Sequence, residues 1–448
     1  MTAQSDRVVV TGTGALSSFG SGSEALWRAC LAGEDPSAPV PASWSTYYRA
    51  TSRTWAPLPP MNFSAMGFSR ADVLTMSMPA LLCAAASDEA MREAGATDLF
   101  RAAGPGALRA GVFVGTGFSG AKAPFDNYRA HLFGGMKSRF EQLLQDFPDD
   151  ADLTEHVAAL KAHARVNPLV ICQTMPNAPS ATVGIRFGLK GPNDTVCYAC
   201  ASGTVAIGRA YQAIKRGELN FAIAGGVEHL RDNAGGVFMG FDRLQTLAKP
   251  GAEQGAENRP FDRARTGFLF SEGGAGMLVL ESASFARARG AAALAEVRGF
   301  ALTSDAVSMV SISEDNNSIC AMWDRLLEDA RLAPTDIGYL NAHGTATEIN
   351  DQVESALIER YFGVGPKINS TKSILGHTLG ASGALEAIVT IKSLREQRVH
   401  VSRNLDHPIR ELDFCKVSAA HPFDFALSES FGFGGHNAGL IFARVDHD

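Results

Sequence analysis

The chain is organised around Asp194-Thr-Val-Cys-Tyr-Ala-Cys200-Ala-Ser-Gly-Thr-Val-Ala-Ile-Gly208, where an apolar strand is predicted to end at a cysteine and turn at once into a helix. The helix is rich in Ala and Gly, should be buried, and should end before Gly217. A thiol at a helix N-terminus lies among unpaired N–H groups that favour negative charge. We therefore expect Cys200 to have a lowered pKa and to act as a nucleophile. The neighbouring Cys197 is expected to be a buried thiol of the strand.

Apolar segments of strand length alternate with helical patterns along the rest of the chain. Strands are predicted at residues 7–14, 110–117, 220–226, 267–270, 274–281, 291–303, 337–341 and 440–444, with the fourth and fifth forming a pair. Helices are predicted at residues 23–32, 69–95, 317–330 and 380–397. This alternation predicts an α/β protein whose sheet is covered on both faces.

Two pairs of similar segments suggest an internal duplication. Val114-Gly-Thr-Gly resembles Ala342-His-Gly-Thr, each at a strand end, and Cys200-Ala-Ser-Gly resembles Gly380-Ala-Ser-Gly383, each opening an apolar helix. Two copies of one α/β unit would bring these helix starts towards a common centre. We expect the halves to be residues 1–290 and 291–448.

A helical insertion is predicted near residues 135–165. The spacing of apolar residues over residues 128–165 indicates two helices joined as a hairpin. Such an excursion is either a surface hairpin without chemistry or a lid or partner-docking element, and the sequence leaves both interpretations open.

Composition excludes several classes of function. The net charge of −7 gives no basic face for nucleic acid. No apolar run reaches the ~20 residues of a membrane span, and the first residues lack a signal-peptide pattern. The seven cysteines fit free thiols in a reducing cytoplasm, and Cys30, Cys83, Cys172 and Cys415 are expected to be buried. The expected location is therefore cytoplasmic, without a membrane or nucleic-acid partner.

Two histidines and an ion pair are the further candidates for chemistry. His343 and His377 stand among Gly and Thr residues that suit tight turns at a pocket. Glu386 falls in an otherwise apolar helix, so it needs a buried partner, and Lys372 is the natural candidate. The pair is either purely structural or a device that fixes the histidines and tunes their protonation.

The glycine-rich segment 430–437 could present backbone N–H groups to an oxyanion beside aromatic rings, or could be an ordinary β-bulge. Cys197-x-x-Cys200 resembles a redox or zinc half-site, but a second such pair and metal-spaced histidines are missing from the sequence. No metal is therefore predicted. A cysteine hydrolase stays open at this point.

Four motifs together resemble the β-ketoacyl-(acyl carrier protein) synthases of fatty-acid and polyketide systems. They are Tyr-Ala-Cys200-Ala-Ser-Gly, His343-Gly-Thr-x-Thr, Lys372-Ser-x-x-Gly-His377 and Gly432-Phe-Gly-Gly-x-Asn437. The resemblance spans nearly the whole chain. It implies the thiolase fold, with two similar α/β halves in a five-layered αβαβα arrangement, usually as a dimer.

The resemblance also implies a reaction. Cys200 would carry the acyl chain, and His343 and His377 would stabilise the enolate left when a malonyl thioester loses CO2. Lys372 with Glu386 would position His377. The backbone N–H groups of Cys200 and Phe433 would form the oxyanion hole.

The substrate would be bound by residues that match the family's pattern, namely Thr345, Thr347, Phe433, Asn437 and Phe241. Thr345 and Thr347 match contacts to the phosphopantetheine arm, and Phe433 matches a gating phenylalanine. The arm would arrive on an acyl carrier protein, so no cofactor of the enzyme's own is expected.

Two departures from the family pattern bear on specificity. The segment 69–75, basic in typical bacterial members, contains only Arg70 as a basic residue, and the insertion near 135–165 is unusual. We therefore expect polyketide or specialised lipid synthesis, as a homodimer or a heterodimer with a chain-length-factor-like homologue. Housekeeping fatty-acid elongation is the alternative. A non-catalytic chain-length partner is disfavoured by the intact set of Cys200, His343 and His377.

Overall fold

A computed structural model describes residues 6–45, 48–101, 104–118, 122–163, 167–251, 255–312 and 317–445. The strands are β1 Val8–Ser17, β2 Gly20–Ser21, β3 Ala38–Pro39, β4 Thr54–Ala56, β5 Ala110–Gly115, β6 Asn193–Val196, β7 Phe221–His229, β8 Phe270–Ser271, β9 Gly273–Ser282, β10 Ala295–Ser304, β11 Tyr339–Asn341, β12 Lys367–Asn369, β13 Arg398–Val399, β14 Ala419–Ala420, β15 Phe425–Gly432 and β16 His436–Ala443. The α-helices are α1 Ser23–Ala32, α2 Arg70–Thr75, α3 Met78–Glu93, α4 Lys122–Asp146, α5 Ala151–His163, α6 Val170–Thr174, α7 Ala178–Phe187, α8 Ser202–Lys215, α9 Gly236–Arg243, α10 Ala283–Ala288, α11 Asn317–Ala330, α12 Glu348–Phe362, α13 Lys372–Leu375 and α14 Ser382–Glu396.

The strand order shows the predicted duplication. One long sheet runs β12-β11-β15-β16-β10-β1-β9-β7-β5-β6. From its outer edge inwards, the first half contributes β6, β5, β7, β9 and β1, and the second half contributes β12, β11, β15, β16 and β10. Counted in chain order within each half, both series read third, second, fourth, fifth and first strand. In each half the fifth strand, β9 or β16, is antiparallel to both of its neighbours. The boundary predicted at 290/291 falls between α10 and β10 and stays a prediction.

The two halves enclose a pair of buried helices. Apolar side chains of α8 and α14 share one core with both parts of the sheet. Helices α3 and α7 pack on the outer face of the first part, and α11 and α12 on the outer face of the second. These are the five layers of the thiolase fold, so the predicted fold class is confirmed.

The two matching helix starts meet at the centre, as predicted. A Cβ on Gly203 of α8 would lie 2.8 Å from the backbone nitrogen of Ala384 in α14. The small residues that open each helix therefore let the two backbones touch. Short 3-10 turns, Ala199–Ala201 and Leu379–Ala381, precede the two helices.

Two predicted elements are wrong. The helix expected over residues 69–95 is two helices, α2 and α3, because Ser77 caps a second N-terminus with Pro79 in its first turn. The strands near Phe270 and residues 274–281 do not pair. β8 joins the small sheet β3-β4-β8, whereas β9 lies in the long sheet. Gly273, the first residue of β9, has a φ of 128°, at the point where the chain passes from one sheet to the other.

The predicted helical hairpin is present as α4 and α5. Its first helix begins at Lys122, earlier than the sequence indicated. The ring of Phe140 on α4 stacks on His156 of α5 with centroids 5.6 Å apart. Residues 164–166, where the predicted insertion ends, lie outside the described residues. In the part of the chain that is described, no helix combines the length and the hydropathy needed to cross a membrane.

The cysteines are all free. Cys30, Cys83 and Cys415 are buried as predicted, but Cys172 on α6 is exposed. Cys197 is also exposed, contrary to prediction. It follows β6, an edge strand whose one partner among the described residues is β5, so no further described strand lies beside this end.

Candidate active site

Cys200 lies at the centre of the molecule, in the 3-10 turn between β6 and α8. Its side chain is buried between the two halves. The preceding Ala199 has φ 48°, in the left-handed region that non-glycine residues avoid. Leu379, at the matching turn before α14, has φ 47°. Both halves therefore hold a strained residue where the chain enters the central helix, and such strain is typical of functional sites.

His377 contacts the Cys200 thiol directly. Its Nε2 lies 3.1 Å from Cys200 Sγ. The backbone N–H of Leu379 donates to His377 Nδ1 at 3.3 Å. An Nδ1 that accepts a hydrogen bond must carry no proton in the neutral ring, so Nε2 carries it and points at the sulfur.

His343 is held by the predicted Lys372–Glu386 pair. Lys372 Nζ donates to Glu386 Oε1 at 2.6 Å and to His343 Nδ1 at 3.2 Å. The ion pair expected from burial is therefore present. However, the imidazole that it contacts is His343, whereas the resemblance assigned it to His377. The contact leaves the proton of neutral His343 on Nε2.

Both imidazoles are electrically neutral. Burial lowers the pKa of His343 and of His377 well below its usual value, and the cation of Lys372 lowers both further. The two rings stand edge to face with centroids 5.7 Å apart. The site therefore presents two neutral N–H donors, as the expected enolate stabilisation requires.

The predicted lowering of the Cys200 pKa is wrong. Burial raises the pKa of Cys200 to about 11, although Lys372 and the backbone N–H groups of Phe433 and Cys200 act in the opposite direction. The helix N-terminus is enclosed between two protein layers, where removal from water outweighs the favourable dipoles.

The two predicted oxyanion-hole donors do converge. The backbone N–H groups of Cys200 and Phe433 both act on the Cys200 sulfur, since each lowers the pKa of the thiol. Gly432 allows this approach, because a Cβ there would lie 2.5 Å from the carbonyl oxygen of Tyr198. The loop between β15 and β16 thus presents an N–H to the position where a bound acyl oxygen would lie.

A large cavity opens onto the thiol. It has a volume of about 1240 Å³. All the predicted substrate-binding residues line it: Thr345, Thr347, Phe433, Asn437 and Phe241. The hydroxyls of Thr345 and Thr347 lie 2.9 Å apart. Asn437 donates to Asp305 at 2.6 Å, which fixes its amide at the wall.

Two buried carboxylates that sequence reasoning did not assign also organise the site. Glu354 accepts the backbone N–H groups of His343 at 2.7 Å and Gly344 at 2.8 Å. Burial, with Asp351 nearby, raises the pKa of Glu354 to about 7. Its place in the mixed-charge segment of α12 gave no sign of burial.

Glu228 connects the two halves beside the catalytic turns. It accepts N–H groups from Gly117 at 2.7 Å, Phe118 at 3.0 Å and Gly380 at 3.3 Å. Burial raises its pKa to about 7. The only signal in the sequence was an acid near the end of the apolar strand β7. Among the described residues, no group of three or more His, Cys, Asp or Glu side chains is arranged to hold a metal.

A buried thiol, two neutral imidazoles and convergent backbone donors at the junction of two thiolase-type halves define a condensing acyltransferase. Residues 5–286 match the family described as "Beta-ketoacyl synthase, N-terminal domain", and residues 294–406 match "Beta-ketoacyl synthase, C-terminal domain". The chain therefore belongs to the β-ketoacyl synthase family.

Known proteins that are similar over the full length include a 3-oxoacyl-[acyl-carrier-protein] synthase and two ketosynthase structures. The 3-oxoacyl-[acyl-carrier-protein] synthase 2 of Vibrio cholerae is 33% identical over 98% of this chain and 99% of its own. The ishigamide ketosynthase/chain length factor superposes with a TM-score of 0.82 at 26% identity, over 98% of this chain and 100% of that one. A type II polyketide ketosynthase, in complex with its acyl carrier protein and bound to the hexaketide, superposes with a TM-score of 0.79 at 25% identity. The match covers 99% of this chain and 100% of that one.

Proposed function

We propose that this enzyme transfers an acyl group to Cys200 and condenses it with a malonyl unit, both delivered on an acyl carrier protein. The observation that carries the proposal is the contact of 3.1 Å between Cys200 Sγ and His377 Nε2. Both side chains line a cavity large enough for an acyl chain and a carrier arm together.

In the first step, Cys200 Sγ bonds to the acyl carbonyl carbon and the carbon–sulfur bond of the incoming thioester breaks. The thiol proton ends on the departing carrier thiol. This coupling suits a cysteine whose pKa burial raises to about 11, because no free thiolate has to accumulate first. The N–H groups of Cys200 and Phe433 stabilise the oxyanion of the tetrahedral intermediate.

In the second step, the malonyl thioester loses CO2. The electron pair of the broken C–C bond passes into an enolate whose oxygen accepts hydrogen bonds from His343 Nε2 and His377 Nε2. The enolate carbon then attacks the acyl-cysteine carbonyl and expels the Cys200 thiolate, which regains a proton. The product is a β-ketoacyl thioester on the carrier.

The arm of the carrier protein is assigned to the side of the cavity that contains Thr345 and Thr347. Helix α2 has Arg70 as its sole basic residue. We therefore expect the acidic carrier protein to dock through basic residues elsewhere on the surface. We assign the enzyme to polyketide or specialised lipid synthesis, working as a dimer with itself or with a chain-length-factor-like homologue. The added α4–α5 hairpin supports this assignment.

Fatty-acid elongation is the second candidate, favoured by the full-length similarity to a 3-oxoacyl-[acyl-carrier-protein] synthase 2. Turnover of saturated acyl carriers and of polyketide-type acyl carriers separates the two pathways. A non-catalytic chain-length partner would turn over neither.

The test of the catalytic assignment is acylation followed by condensation. The protein is incubated with acyl carrier protein thioester, and the mass of the peptide that contains Cys200 is read before and after malonyl carrier is added. Cys200→Ala should form no adduct and no product but should retain malonyl decarboxylation. Cys197→Ala, three residues away and exposed, is the matched control and should behave as wild type. A Cys200→Ala variant that still condenses would refute the assignment.

A further inference from the structure

The α4–α5 hairpin forms part of the catalytic cavity. Phe125, Asp126 and Arg129 of α4 line the same cavity as Cys200. Arg129 follows Asp126 by three residues and Phe125 by four, the spacings at which side chains are neighbours on a helix. The first turns of α4, ahead of residues 135–165, are therefore part of the cavity wall.

This wall belongs to the first half of the chain. Asn233 Nδ2 donates to Asp126 Oδ1 at 3.4 Å, which holds α4 beside the segment before α9. The ring of Phe118 contacts Phe241 of α9, with centroids 6.2 Å apart. Thr345 and Thr347, assigned to the carrier arm, come from the second half. The acyl chain is accordingly assigned to the wall of α4 and α9.

The charged side chains on this wall differ in how many hydrogen bonds and ion pairs they make within the protein. Both oxygens of Asp232 are occupied by backbone N–H groups, from Ala234 at 2.8 Å and Val237 at 3.3 Å. Asp126 is paired with Lys122 and lies 3.6 Å from Arg129. Both carboxylates therefore have partners within the protein.

Arg129 retains unused donors. Its Nε is buried and makes no hydrogen bond within the described part of the chain. Its contact with Asp126 is a single long ion pair, and its guanidinium lies 6.0 Å from the Phe133 ring. A guanidinium has five N–H donors and no acceptor. The Arg129 side chain as a whole is 32% exposed and lines the cavity, so its accessible N–H groups can donate to a ligand that brings an acceptor oxygen.

We propose that Arg129 selects acyl chains that carry a keto oxygen beyond the thioester, over fully saturated chains of the same length. The proposal rests on the proposed condensing function and names its substrate class. A saturated chain displaces water from the accessible N–H groups of Arg129 and offers them no acceptor in return. A chain with a carbonyl oxygen at this depth accepts a hydrogen bond from a charged donor.

The experiment compares matched pantetheine thioesters: 5-oxohexanoyl with hexanoyl, and 7-oxooctanoyl with octanoyl. The measured quantity is the initial rate at which Cys200 is acylated. For at least one pair, wild-type protein should acylate faster with the oxo chain by about tenfold or more, the value of one hydrogen bond to a charged group. Arg129→Met should reduce that ratio to within about twofold by slowing only the oxo chain.

Arg139→Met is the matched control, because Arg139 is an exposed arginine of the same helix that does not line the cavity. It should keep the wild-type ratio. If Arg129→Met does not fold, as judged by circular dichroism, Arg129→Gln is read instead, and an intermediate ratio is expected.

Equal wild-type rates for both members of each pair would overturn the proposal while leaving the condensing function intact. An unchanged ratio in Arg129→Met would overturn it equally, as would a loss of acylation with saturated and oxo chains alike. Failure of wild-type protein to acylate Cys200 with any thioester, including those on carrier protein, would instead refute the proposed function.

Discussion

The Lys372–Glu386 pair allows its structural and its chemical roles to be measured separately. Both side chains are buried, and Lys372 also donates to His343 Nδ1. Lys372→Met leaves the Glu386 carboxylate without its cation, and Glu386 Oε2 already makes no hydrogen bond to the described residues. Removing one partner of a buried pair costs about 3–5 kcal/mol of unfolding free energy.

The unfolding free energy lost in Lys372→Met should depend on pH in a defined direction. Burial raises the pKa of Glu386, and Lys372 opposes that rise. Without Lys372 the folded-state pKa lies further above the unfolded value, so the stabilisation present at low pH is lost as pH rises. The destabilisation of Lys372→Met should therefore be larger at pH 8 than at pH 6.

The double variant Lys372→Met/Glu386→Leu separates the two roles. It removes both charges, so its stability should return close to wild type. Malonyl decarboxylation should stay low, because nothing then donates to His343 Nδ1 and the ring is free to take the wrong tautomer. Denaturant unfolding at both pH values and CO2 release from malonyl carrier are the two measurements.

Lys367→Met is the matched control. Lys367 pairs with Asp413 at 2.5 Å, but both side chains are partly exposed, so the cost should be about 0–1 kcal/mol. A double variant that regains both stability and wild-type decarboxylation would refute the positioning role and reduce the pair to a structural bridge. A cost for Lys372→Met as small as that of the control would refute the burial argument itself.

Three further outcomes are expected. Gly208→Ala places a Cβ 2.1 Å from the Phe300 ring and should cost about 1–3 kcal/mol in denaturant unfolding, whereas Gly135→Ala, with open space around it, should leave stability unchanged or slightly raised. Because burial raises the Glu228 pKa to about 7, wild-type protein should lose stability relative to Glu228→Gln as pH rises from 5 to 8, and a constant difference would contradict this. Alkylation of Cys200 by iodoacetamide should accelerate about tenfold per pH unit between pH 7 and 9, and a plateau near pH 7 would contradict the raised pKa.

The sequence predicted the fold and most of the site because their signals are local. Gly and Ala at the starts of two helices predict that the two backbones lie in close contact. The structure shows this contact between Gly203 and Ala384. An acid inside an apolar helix demands a buried cation, and Glu386 has one at 2.6 Å. The break between α2 and α3 was also readable, since Ser77 and Pro79 are a strong helix start.

Other features depend on how distant elements pack, and the sequence could not specify them. The helix N-terminus at Cys200 favours a thiolate locally, but the layer formed by the second half removes the sulfur from water. Cys197 lies in an apolar context, yet its strand stands at the sheet edge. Glu354 lies in a segment typical of a surface helix, and only the tertiary fold turns its carboxylate towards the backbone of His343.

Lys372 reconciles two requirements that conflict at this site. The nucleophile benefits from positive charge, whereas the two imidazoles must stay neutral to act as donors. One buried cation does both, because Lys372 lowers the pKa of Cys200 and also lowers the pKa of His343 and His377. Burial alone would keep the imidazoles neutral but would leave the thiol pKa higher still. Glu386 compensates the charge of Lys372 through one N–H of the ammonium, while another N–H donates to the His343 nitrogen that must remain unprotonated.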